Sequence, residues 1–213
     1  LAEVELKSLQ GQMNPHFLFN SLNSIKHFIL TNDKFVAADY LTNFSKLVRL
    51  ILNNSKQKTI SLQQELETLK LYLEMEQMRF PQKFKFEIEL SPALDPEELE
   101  IPPLILQPYV ENAIWHGLMH KRDGSNGLIK VAARPVNNYL YFIIEDNGIG
   151  REKAMELRSK SAANRKSYGM QITHARLTMT DQNAQVKIID LKNDAGEATG
   201  TRVELRLPYA QED

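Results

Sequence analysis

The sequence predicts an α+β chain: a helical front over residues 1–80 and a mixed α/β back over residues 81–213. Three observations predict it. Leu62, Leu66, Leu69 and Leu73 recur at i, i+4, i+7 and i+11, one stripe of a helix. Phe84, Phe86, Ile88 and Leu90 alternate with charged residues, the period of a half-buried strand. Between them the texture changes at Phe80-Pro81, which marks the expected domain boundary.

Taken in order, residues 3–30 form a first helical segment with Leu18, Leu22, Ile25 and Ile29 in register. Ala37, Tyr40, Leu41, Phe44, Leu47, Val48 and Ile51 make a second stripe, ended by Asn53-Asn54-Ser55. Ser61 suits the N-cap of the third helix, with Gln64 as its capping-box partner. Stripes of this kind must bury against one another, so a helical hairpin that pairs with a second copy is expected. In the back half a helix is expected from about Pro103 to Leu118, with Pro103 in its first turn. Strands follow near 127–134 and 138–145, then a polar stretch from Arg151 to Ser167. A helix from about Gly169 and strands near 185–191 and 201–207 complete the chain.

With 213 residues and a net charge of −1, the composition gives no electrostatic argument for nucleic acid. The absence of cysteine excludes disulfides and thiolate metal sites. No stretch approaches the ~20 apolar residues needed to cross a bilayer. The chain starts at Leu1, inside what reads as helix, so we expect a fragment of a longer protein whose missing N-terminal part could include membrane spans.

Strand 139–145 runs into Asp146-Asn147-Gly148-Ile149-Gly150. A carboxylate at the last buried step needs a partner, and the floor of a pocket is a place where it could accept a hydrogen bond from an exocyclic amine. Gly148 and Gly150 would let the backbone pass close to a flat ring. An ordinary strand turn remains open on these residues alone. In helix 103–118, Asn112 and His116 share a face, with Glu111 beside them. The alternatives are a solvated stripe and a ligand face; an Asn oxygen suits Mg²⁺ that keeps water and phosphate oxygens as its other ligands. Gly169 and Met170 open an expected helix, which is either plain helix-start chemistry or a place where free N–H groups favour phosphate, and Gly200-Thr201 is either a plain turn or brings a hydroxyl to a base edge.

The order of these elements resembles the N, G1, lid and G2 elements of the Bergerat-type ATP-binding fold, an α/β sandwich shared by gyrase, heat-shock chaperones and histidine kinases. The resemblance implies that Asn112 coordinates Mg²⁺ and that Asp146 reads the adenine amine. It also implies that Arg151–Ser167 is a flexible lid whose Arg158, Lys160, Arg165 and Lys166 supply charge. Upstream, Asn14-Pro15-His16-Phe17-Leu18-Phe19-Asn20 resembles the phospho-acceptor box of sensor histidine kinases that accompany LytTR-type response regulators. The resemblance runs from about Leu9 to Pro208 and includes Ile101-Pro102-Pro103 and Gln107-Pro108-Tyr109-Val110-Glu111-Asn112.

The implied activity is transfer of the ATP γ-phosphoryl group to His16 and then to an aspartate of a response regulator. The implied assembly is a homodimer with a four-helix bundle, in the cytoplasmic part of a bacterial inner-membrane protein. His16 follows an expected Gly11–Pro15 kink and sits about 200° around the helix from Leu18 and its stripe, so it should be reachable. Two departures from the pattern stand out. Phe17 occupies the place where many histidine kinases carry an acidic residue, leaving Glu111 as candidate base; Trp115 stands where a lysine is common. The rival readings are an ATPase or protein-serine kinase on the same nucleotide fold, and a non-catalytic dimeric nucleotide-binding module.

Overall fold

A computed structural model describes residues 15–31, 33–121, 126–160 and 184–209, except for the side chains of residues 15, 16 and 158–160. In chain order its elements are α1 (Pro15–Leu30), α2 (Lys34–Ser55), β1 (Ile60–Ser61), α3 (Leu62–Arg79), β2 (Phe84–Leu90) and β3 (Glu100–Ile101). There follow α4 (Gln107–Asn112), a π-helical turn (Ala113–Leu118), β4 (Gly127–Val136), β5 (Tyr139–Asp146), α5 (Arg151–Lys160), β6 (Gln185–Lys192) and β7 (Ala198–Pro208). The chain separates into two compact units. One runs to Arg79 and takes back Glu97–Leu104; the other holds Phe80–Pro96 and the chain from Ile105.

In the helical unit α1 packs on α2 and α2 on α3. The capping box at the start of α3 forms in both directions. Ser61 Oγ accepts from the Gln64 N–H at 3.2 Å, and Gln64 Oε1 accepts from the Ser61 N–H at 3.1 Å. Leu62, Leu69 and Leu73 are buried as the periodicity requires. The stripe expected for α1 is not its buried face: Leu22 and Ile29 are exposed, while Phe17, Ser21 and Ser24 point inward. Those inward positions lie one residue, or about 100°, from the apolar stripe, because Phe17 stacks on Phe44 and Tyr72 and the Tyr40 hydroxyl reaches Ser21. His16 precedes the inward Phe17 by one residue, about 100° around the helix.

The second unit is a five-stranded sheet of order β2-β4-β5-β7-β6, with β2 parallel to β4 and the other neighbours antiparallel. Its inner face buries Phe84, Ile129, Val131, Phe142, Ile144 and Leu205. The opposite face stays soluble by alternating charge. Register sets Glu87, Lys130, Glu145 and Arg202 in one row across four strands, with ion pairs of 3.1 Å (Lys130–Glu87) and 2.7 Å (Arg202–Glu145).

Two expectations need correction. The helix expected from Pro103 begins at Gln107 instead, with Pro108 in its first turn, and closes as a π-helical turn. Leu104 takes φ +59°, which no helix continues, and its N–H is held at 2.7 Å by Glu65 of α3. The stretch from Arg151, expected as a lid loop, is helical as far as Lys160. Residues 161–167 and the expected helix from Gly169 lie outside the described residues.

Candidate functional site

β5 ends on Asp146, whose side chain is only 5 % exposed. The register makes Ile129 and Thr201 its neighbours on the two flanking strands. Its Oδ1 accepts from the Gly148 N–H at 2.8 Å. Burial is the largest influence on this carboxyl and pushes its pKa up to about 6; backbone bonds from Gly148 and Thr201 pull it back, and the like charge of Glu145 adds to the rise. The site is thus a carboxylate with acceptor capacity and no cation among those influences.

Three glycines from separate segments make room for it. A Cβ on Gly117 would lie 2.7 Å from Asp146 Oδ1. One on Gly148 would lie 2.5 Å from the Gly117 backbone, and one on Gly200 would collide with the Asp146 carbonyl. The π-helical turn brings Gly117 here: the Met119 N–H bonds to the Ile114 carbonyl at 2.9 Å, the i→i+5 pattern that often marks functional sites. The Ile149 N–H then donates to the Gly117 carbonyl at 3.3 Å, sewing the glycine loop to the helix end. Asn147 fixes the loop from the other side, accepting from the Leu128 N–H and donating to the Asn126 carbonyl, both at 2.8 Å.

A cavity of ≈ 250 Å³ opens over Asp146. Of the residues singled out in the sequence, Asn112, His116, Asp146, Gly150 and Thr201 line it. Gly148 stands behind the wall, bonded to Asp146. Glu111 is not among the lining residues; its Oε1 accepts from Gln107 Nε2 at 3.0 Å. Trp115 also points elsewhere, meeting Phe80 edge to face at 5.5 Å between ring centres. Gly169 and Met170 lie outside the described residues, and His16 belongs to the helical unit with its side chain undescribed.

Sequence reasoning missed Tyr109, Ala113, Gly117, Ile188 and Val203 as lining residues, whereas Arg151, Ala154 and Met155 fall in the stretch expected as the lid. Tyr109 is one turn from Asn112 on the same face, and that spacing was the available signal. Asn112 itself is oriented by its Nδ2, which donates to the Pro108 carbonyl at 2.6 Å; its amide oxygen is the atom with ligand character. Among the described residues no cluster of three or more His, Cys, Asp or Glu could hold a metal ion. Mg²⁺ bound here would take its remaining ligands from phosphate and water, as it commonly does. A buried acceptor, an apolar wall from Ile188 and Val203, and an Asn oxygen on the same cleft fit a nucleotide with its ion.

Comparison with known proteins gives the family. The family model for histidine kinase matches residues 4–84. The chain is 32% identical over its full length to Sensor protein LytS of Enterococcus faecalis and 31% identical over 99% of its length to that of Bacillus subtilis. It is 29% identical, again over its full length, to the Sensor histidine kinase/phosphatase LytS of Staphylococcus aureus. It spans 35% of the first two relatives and 36% of the third, about a third of their length. Among solved structures, the histidine kinase domain of a blue-light activated histidine kinase from Erythrobacter litoralis superposes with a TM-score of 0.53. That match has 12% identity and covers 98% of this chain and 96% of the other, a likeness of fold. The chain is a histidine kinase domain of the LytS type.

Proposed function

We propose that this chain binds ATP·Mg²⁺ in the cleft over Asp146 and transfers the γ-phosphoryl group to His16. The observation that carries the reading is Asp146, a buried carboxylate with Thr201 beside it at the floor of the cleft. Such a group is costly to bury unless a ligand donates to it, and an adenine amine is a donor of the right kind. Asn112 would hold Mg²⁺ through its amide oxygen, and the ion would neutralise the phosphates. Thr201 and Gly150 border the base while Gly148 holds Asp146 from behind the wall, His116 lies toward the phosphates, and Gly169 and Met170, outside the described residues, are assigned to the phosphates.

In the transfer step a His16 ring nitrogen forms a bond to the γ-phosphorus while the bond to the β,γ-bridging oxygen breaks and ADP leaves. The imidazole proton passes to a base, for which Glu111 is the candidate. In the second step the N–P bond breaks as an aspartate oxygen of a response regulator, of LytTR type, takes the phosphoryl group. The acceptor unit works as a homodimer: Phe19, Leu22, Ile29, Leu30, Phe35 and Leu41 are exposed along α1 and α2, more apolar surface than one hairpin covers. Among the described residues no helix is long and apolar enough to cross a membrane. We place the kinase part in the cytoplasm, with attachment to the membrane through the part of the relatives that this chain does not span.

Incubation with γ-labelled ATP and Mg²⁺ is the test. The expected product is labelled protein whose phosphate is acid-labile and alkali-stable, and which His16→Ala and Asn112→Ala each abolish. Alkali-labile label would indicate a serine kinase, and ADP release without labelling an ATPase.

A further inference from the structure

Arg151 opens α5, and Asp190 lies on the inward face of the edge strand β6. They meet in a forked ion pair: Arg151 Nε donates to Asp190 Oδ1 at 2.8 Å and Nη2 to Oδ2 at 2.7 Å. The pairing holds the Asp190 carboxyl below its ordinary range and strengthens the Arg151 guanidinium's hold on its proton. A second pair joins the same two elements, Lys192 Nζ to Glu152 Oε1 at 3.5 Å. Asp190 is the register partner of Thr201, itself the partner of Asp146. The anchoring carboxylate therefore stands in the same row as the cleft floor, about 10 Å away across two strand spacings.

Arg151, Ala154 and Met155 form one wall of the cleft, and their helix also meets β7 and the π-helical turn. No side chain from Arg151 to Leu157 is buried, and Met155 and Leu157 are 59% and 41% exposed. A helix in a protein normally owes its position to an apolar face; this one has none among the described residues. Gly150 turns the chain into it at φ +76°. With no buried side chain from Arg151 to Leu157, the ion pairs to β6 add directional holds to the contacts that α5 makes with β7 and the π-helical turn. Exposed pairs usually contribute little, the forked Arg–carboxylate geometry being the exception.

We propose that the Arg151–Asp190 pair is a clasp that positions α5 as the outer wall of the nucleotide cleft. Asp190 acts through Arg151, as a positioning residue for nucleotide affinity. The inference rests on the cleft being the nucleotide site. Loss of either partner releases the wall, and the released helix must be ordered again when nucleotide binds.

The test is calorimetric titration of the full chain with a non-hydrolysable ATP analogue and Mg²⁺. Asp190→Asn and Arg151→Ala should each weaken binding about fivefold, equivalent to ~1 kcal/mol for an exposed pair. The double variant should be no worse than either single one. Asp190→Glu and the exchanged pair Arg151→Asp/Asp190→Arg should recover affinity, a recovery that loss of structure alone would not give. At about 1 M salt, where screening acts over ~3 Å, parent and variants should converge. Unchanged affinity in Asp190→Asn overturns the clasp, as do additive losses or a loss confined to Arg151→Ala. A parent that binds no nucleotide overturns the reading of the cleft itself. Binding that Asp146→Asn abolishes but Asp190→Asn leaves intact overturns only the clasp.

Discussion

Replacing Asp146 with Asn should weaken nucleotide binding while making the protein more stable at neutral pH. Burial raises the carboxyl from 3.8 to about 6, roughly two units, so ionising it in the fold costs ~3 kcal/mol at ~1.4 kcal/mol per unit. The sign follows from linkage. Between 3.8 and about 6 the folded state holds a proton that the unfolded chain has lost, so stability falls as pH rises through that window. The favourable contribution is fully present below 3.8 and gone above about 6. Asn carries no charge to desolvate. At pH 8 it should gain about 1–3 kcal/mol, seen as a higher Tm by ~2–4 °C per kcal/mol for a chain of this size; below pH 3.8 the two proteins should melt together.

Function moves the other way. The Gly148 N–H already takes Oδ1. An Asn that keeps this bond turns its amide nitrogen toward the ligand, where a donor would face a donor. Loss of one charge-assisted bond should cost about 10–100-fold in affinity. In the parent, binding requires the ionised form, so affinity at pH 5 should be about tenfold below that at pH 7.5; the Asn variant should lack this slope. Titration calorimetry and thermal melts from pH 5 to 8 give both quantities. An Asn variant that binds as tightly as the parent, or that melts lower at pH 8, refutes the reasoning.

Gly117→Ala should fold, by circular dichroism, yet bind ATP more weakly, because its Cβ would sit 2.7 Å from Asp146 Oδ1 and force the carboxylate aside. Gly148→Ala meets the Gly117 backbone at 2.5 Å as well as Asp146 Oδ1 at 2.7 Å, and should lose ~1–3 kcal/mol of stability in urea titration. Ser61→Ala removes one half of the capping box and should lower stability by ~1 kcal/mol without affecting nucleotide affinity. Leu22→Glu with Ile29→Glu should convert a dimer to a monomer by light scattering, since both side chains are exposed on α1; a variant that stays dimeric would remove that face from the interface.

The sheet was legible because alternation is a local signal. β2 spans Phe84–Leu90, the expected alternating run, and β5 ends one residue past the expected limit, at Asp146. The start of α4 was not legible, because two prolines offered a first turn. The choice between them is made by Glu65, 39 residues upstream, which captures the Leu104 N–H. Within one chain the face that α1 buries differs from its apolar stripe for a related reason. Its leucines and isoleucines form the more apolar stripe, yet aromatic contacts from α2 and α3 select Phe17, Ser21 and Ser24 for the inside. Apolar content tells which faces need covering and leaves open which partner covers them.

The cleft divides along the same line. Asp146 announced itself by chemistry: a carboxylate ending an apolar strand before two spaced glycines. Gly117 did not, since a glycine closing a helix is usually a C-terminal signal, and its contact with the carboxylate depends on the π-helical turn. Asp190 carried a signal that alternation contains. In β6, Val186, Ile188 and Asp190 share one parity and face the same way as Val203 and Thr201 of β7, so a charge sat on the inward side. Inward carboxylates need a partner, and the one that arrives, Arg151, lies 39 residues away at the head of a helix without a buried face. That helix could not be inferred from hydrophobic periodicity, because no side chain from Arg151 to Leu157 is buried and its forked pair to Asp190 joins residues far apart in sequence.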